Sequence, residues 1–91
     1  MIGSWDISEV KSVNLPQKVA SAFVAVTGGL TGADYMPIAF LGSQVVKGTN
    51  YRILALQTLT TANPIKRFVK MIINVDLEGT ASLVSIGNVA I

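Results

Sequence analysis

The chain of 91 residues has neither cysteine nor histidine. Without cysteine there are no disulfides, no thiolate nucleophile and no cysteine-based metal site, and without histidine the usual general base and the commonest metal ligand are missing. Charge is scarce as well: 13% of residues are charged and the formal net charge is +2. The basic residues form no cluster, so the chain is a poor match to a nucleic-acid binder. The acidic residues Asp6, Glu9, Asp34, Asp76 and Glu78 are scattered, with no pair at a spacing that would make an acid–base couple. We therefore expect no catalytic residues, no metal site, no cofactor and no enzymatic activity. Long apolar runs are also absent. The longest charge-free stretch lies between Lys18 and Asp34 and is broken by Thr27, Gly28, Gly29, Thr31 and Gly32, whereas a spanning helix needs about 20 predominantly apolar residues. The opening Met1-Ile2-Gly3-Ser4-Trp5-Asp6 has neither a basic region nor an apolar core of the secretory kind. The expectation is a cytoplasmic protein with no membrane partner.

Three prolines and eight glycines mark no internal linker, and this length has room for one core. Residues 1–91 are expected to form a single domain. With 51% hydrophobic residues the chain is far from the disordered class. Between Asn14 and Gly28, Val19, Ala22, Phe23 and Val26 recur at helical spacing and make one apolar stripe. Asn14 is the expected cap, Pro16 fits the first turn, and Gly28-Gly29 supply a left-handed stop, which predicts a helix over residues 15–27. Ahead of it, residues 4–13 allow a short strand or an extended arm.

After the glycines, β-branched and aromatic residues dominate and the period becomes extended. Strands are expected over residues 35–46, 50–60, 68–76 and 81–88, with Lys47-Gly48-Thr49 and Leu77-Glu78-Gly79-Thr80 as hairpin turns and Lys66-Arg67 as a solvated turn. Tyr51, Ile53 and Ala55 alternate with Arg52, Leu54 and Leu56, so both faces of that strand are apolar. The predicted fold class is α+β: a single helix packed on a four- or five-stranded antiparallel sheet, with Val19, Phe23, Val26, Ile53, Met71, Ile73 and Leu83 in the core.

The most specific segment is Gln44-Val45-Val46-Lys47-Gly48, followed by Thr49-Asn50-Tyr51. It resembles the cystatin superfamily, and the stefins in particular, whose first hairpin carries Gln-x-Val-x-Gly followed by Thr-Asn-Tyr. The order of arm, helix and strands is similar over essentially the whole chain. Met1-Ile2-Gly3 looks like the stefin opening, and Leu77-Glu78-Gly79 looks like the stefin Leu-Pro-Gly with Glu78 in place of the proline. The span between the hairpins is longer than in typical stefins, and the Pro-Trp pair of other cystatins is absent.

The resemblance implies a reversible inhibitor of papain-like cysteine proteases that blocks the active-site cleft by occupancy. Its wedge would comprise Ile2 and Gly3 of the arm, Gln44, Val45, Val46, Lys47 and Gly48 of the first hairpin, and Leu77, Glu78 and Gly79 of the second. It also implies a monomer that can form a domain-swapped dimer by straightening the first hairpin. Each element has a plainer reading. Gln44 to Gly48 can be a strand end with a hairpin glycine, Leu77 can be an apolar residue packed at a turn, and Gly3 can belong to a terminal tail. A cystatin-like scaffold without inhibition, serving as a binding, structural or engineered display module, is the alternative function.

Overall fold

The computed structural model describes residue 7 and residues 10–90. Its elements in chain order are the helix α1 (Gln17–Thr27) and the strands β1 (Ala33–Val46), β2 (Gly48–Leu59), β3 (Lys66–Val75) and β4 (Ala81–Asn88). The strands form one antiparallel sheet in the order β1-β2-β3-β4, and α1 packs over the β3–β4 side of it. One helix on a four-stranded antiparallel sheet is the α+β architecture expected.

Val19, Ala22, Phe23 and Val26 form the buried stripe of α1. They meet Ile53 and Ala55 of β2 and Val69, Met71 and Ile73 of β3, with Leu83 packed at the margin. Register explains this composition: Ile53 lies opposite Met71, Ala55 opposite Val69 and Tyr51 opposite Ile73, and directly opposed residues share a face. The opposite face carries Asn50, Arg52, Leu54 and Leu56. Both faces of β2 are apolar, and Leu56 is 4% exposed despite facing away from the helix.

The helix ends at Thr27 as expected but starts two residues later, at Gln17, and neither end is capped in the expected way. Asn14 does not cap; Pro16 occupies the N-cap with φ −52° and ψ 145°, and no side chain caps the helix. A residue preceding proline is biased away from helical backbone, which excludes Leu15, and the Pro16 carbonyl accepts the first helical bond from the Ala20 N–H at 2.8 Å. Gly28 keeps a right-handed backbone, and the chain leaves α1 through close turns in which Gly28, Gly29 and Leu30 donate to Val24, Val26 and Thr27. The left-handed residue comes later, at Gly32.

Strands β1, β2 and β3 also start two residues earlier than read. Lys66 and Arg67 belong to β3 rather than to a turn, paired with Thr58 and Gln57. Arg67 Nε donates to Gln57 Oε1 at 2.6 Å, and Gln57 Nε2 donates to the Tyr35 hydroxyl at 2.9 Å. Both ends of the buried Gln57 amide are thereby satisfied. The long β1 carries two irregularities, at Ile38 and Leu41. Each inserts one residue and flips the side-chain alternation. Two insertions restore it, so Tyr35, Phe40 and Ser43 share the helix side while Met36, Ala39 and Gln44 take the other. Of the segment before α1, the described part forms no strand; the Val13 N–H donates to the Pro37 carbonyl at 3.0 Å.

Candidate functional site

Two hairpins meet at one end of the sheet. The first is tighter than the three-residue turn expected, since Val46 pairs with Gly48 and Lys47 alone lies between the strands. Gly48 has φ +97°, a conformation that L side chains avoid. A β-carbon on it would overlap the Val75 carbonyl oxygen and lie 2.9 Å from the Asp76 Cα. Gly48 therefore faces the neighbouring hairpin, so its lack of a side chain sets how closely the two turns approach.

The second hairpin is held by Asp76. Its Oδ1 accepts from the N–H groups of Glu78 and Thr80, both at 2.9 Å. The Asp76 N–H donates to the Thr80 carbonyl, and the Gly79 N–H donates to the Asp76 carbonyl, both at 3.0 Å. Gly79 takes φ +89° in open space. A carboxylate accepting two main-chain N–H bonds from its own turn is an Asx-type clamp. It lifts Leu77 and Glu78 to the tip.

The result is apolar surface in water. Val45 is 85% exposed, Leu77 78% and Val46 44%, with Lys47 and Glu78 also exposed beside them. Single exposed apolar residues are ordinary. Here three stand on two adjoining hairpins whose backbones approach closely at Gly48 and Val75. Behind the tips, a groove of about 1090 Å³ separates α1 from the hairpins, and Lys18, Ser21, Ala25, Val46, Tyr51 and Leu77 are among its lining.

A row of amides links the two hairpins on the face away from the helix. Gln44, Asn50 and Asn74 lie directly opposite one another on β1, β2 and β3. Asn74 Nδ2 donates to Asn50 Oδ1 at 2.9 Å, and Asn50 Nδ2 donates to Gln44 Oε1 at 3.3 Å. Tyr51 turns to the helix side, where its ring sits 6.1 Å from that of Phe40 at a 58° tilt. In this way Gln44 and Asn50 tie the hairpin to its neighbour while Tyr51 anchors it in the core.

Of the expected wedge, Gln44, Val45, Val46, Lys47 and Gly48 and Leu77, Glu78 and Gly79 come together at this end. Ile2 and Gly3 lie outside the described residues. The sequence reading does not single out Asn74 and Asp76 for the site; an Asn closing the apolar run Met71-Ile72-Ile73 and an Asp two residues before Glu78 and three before Gly79 are the signals that point to them. Among the described residues, no group of three Asp or Glu side chains is placed to hold a metal ion, and no helix is long and apolar enough to cross a membrane. No protein-family model, curated protein or solved structure matches the chain.

Proposed function

We propose that the paired hairpins form a docking wedge that enters the active-site cleft of a papain-like cysteine protease and inhibits it reversibly by occupancy. The observation that carries this reading is the exposure of Val45 and Leu77 on two turns held backbone to backbone at Gly48 and Val75. The Gln44 to Tyr51 resemblance to stefins supports it and names the class of target. Such an inhibitor needs no nucleophile of its own, in keeping with a chain that has no cysteine or histidine.

The energetic source is desolvation. An apolar side chain fully buried in a cleft contributes about 1.5–3 kcal/mol. The touching turns also enter with much of their ordering already done, which lowers the entropic cost of association. Lys47 and Glu78 at the rim would act on encounter rate and partner choice more than on affinity.

Titration of papain with the protein tests the proposal. Inhibition should be reversible and stoichiometric, with Leu77→Asp and Val45→Asp each weakening it by about 10-fold or more, since about 1.4 kcal/mol is tenfold. Both side chains are exposed, so thermal unfolding should be nearly unchanged. Absence of inhibition by the parent at micromolar concentration, or full inhibition by the folded double variant, overturns the reading.

A further inference from the structure

The two outer strands of the sheet are unlike. β1 contains Pro37, carries two irregularities, and has one outward carbonyl, that of Pro37, occupied by the Val13 N–H. These are features that discourage strand addition. β4 has one irregularity of its own, at Val84, but it contains no proline, and among the described residues no loop N–H occupies one of its outward carbonyls. From Gly79 to Ile91 the sequence holds no charged side chain and no proline. Among the described residues nothing pairs with the outer side of β4, and its Val84 and Ile86 are 56% and 39% exposed. An uncharged edge with free N–H and C=O groups is a template for another strand.

We propose that this edge is a self-association surface on which β4 pairs antiparallel with β4 of a second copy, joining two four-stranded sheets into one. The register of β4 argues for a second copy rather than a foreign strand. Leu83 lies opposite Ile73 and Ile86 opposite Met71, so both project to the helix side although three positions apart; the extra residue Val84 makes this so. A two-fold axis between Val84 and Ser85 places Leu83 of each copy against Ile86 of the other, Ser82 against Gly87, and Ala81 against Asn88. Each of these three pairs then shares a face, and the apolar pair Leu83 and Ile86 occurs twice. Closed two-fold pairing of this kind is isologous and ends at the dimer.

Size and charge set the strength. β4 has eight residues, about a third of the roughly 20–30 residues a side in a standard stable interface. The dimer is therefore weak and governed by mass action. The uncharged strand meets an uncharged strand, and a net charge of +2 per copy opposes it little. A foreign strand bearing charges would have to desolvate them against this edge. The mode differs from hairpin exchange: it needs no unfolding and equilibrates rapidly.

Sedimentation velocity from about 10 μM to 1 mM, with amide hydrogen exchange at both extremes, tests the proposal. The parent should shift from monomer toward dimer with concentration, and amides within residues 81–88 should gain protection while those of β1 do not. Ser85→Lys sets two ammonium groups beside the axis and should weaken association at least 10-fold, and Val84→Lys should act alike. Both sites are exposed, and circular dichroism of each variant shows whether it is folded. A parent that stays monomeric at 1 mM, a dimer insensitive to both lysines, or protection gained on β1 instead overturns it. So does a monomer whose β4 amides gain protection only when an uncharged extended peptide is added, which would assign the edge to a foreign strand.

Discussion

Gly48 and Val75 touch through their backbones, and that contact joins the two hairpins. The carbonyl of Val75 occupies the space where a β-carbon of residue 48 would stand. The same glycine has φ +97°, so two independent constraints act on one position.

Gly48→Ala should consequently cost more than Gly79→Ala. The first adds overlap to left-handed strain and should lose about 2–4 kcal/mol, because strain of about 1–3 kcal/mol is joined by a forced shift of Val75. The second has positive φ but open space and should lose about 1 kcal/mol, the usual cost of left-handed backbone for an L-residue. Urea unfolding of both variants measures the difference; equal losses would show that the Val75 contact carries nothing.

Asn50 and Asn74 should be energetically coupled. Their amides bond at 2.9 Å across β2 and β3, and a bond of this type contributes about 0.5–1.5 kcal/mol net. A double-mutant cycle on Asn50→Ala and Asn74→Ala should give a coupling of about that size, whereas strictly additive losses would remove the ladder as a link between the hairpins. If the wedge is the inhibitory surface, Asn74→Ala should also weaken papain inhibition although residue 74 is not on either tip.

Brief heating should yield a domain-swapped dimer. Lys47 alone separates the paired strand ends, and straightening this turn releases Gly48 from its left-handed backbone while α1 and β1 of one copy pack on β2 to β4 of another. Size-exclusion chromatography should show a slowly reverting dimer that no longer inhibits papain, because the first hairpin is gone. Ser85→Lys should leave this species unaffected, which separates it from pairing through β4. A heated sample that stays monomeric through the transition, or a dimer that inhibits fully, would count against the exchange.

Much of the architecture was legible in local pattern. The spacing of Val19, Ala22, Phe23 and Val26 gives a helical stripe, and the alternation of Val69, Met71, Ile73 and Val75 gives a strand with one face in the core, because side-chain direction follows backbone period. Residues 43–51 likewise announced a hairpin at the right place. The helix start is not legible in local pattern because Asn14 is a good cap by type, while Pro16 holds the backbone before α1 extended.

The amino-acid sequence by itself therefore determined the helix, four strands, two turns and most of the core. Only the tertiary structure decided that Gly48 meets Val75, that Asn74 completes a ladder with Gln44 and Asn50, that paired irregularities in β1 restore its faces, and that Val84 brings Leu83 and Ile86 to one side of β4. These depend on register between strands distant in the chain. Where both faces of a strand are apolar, as in β2, local pattern does not say which residue will be opposite which, and packing selects the answer.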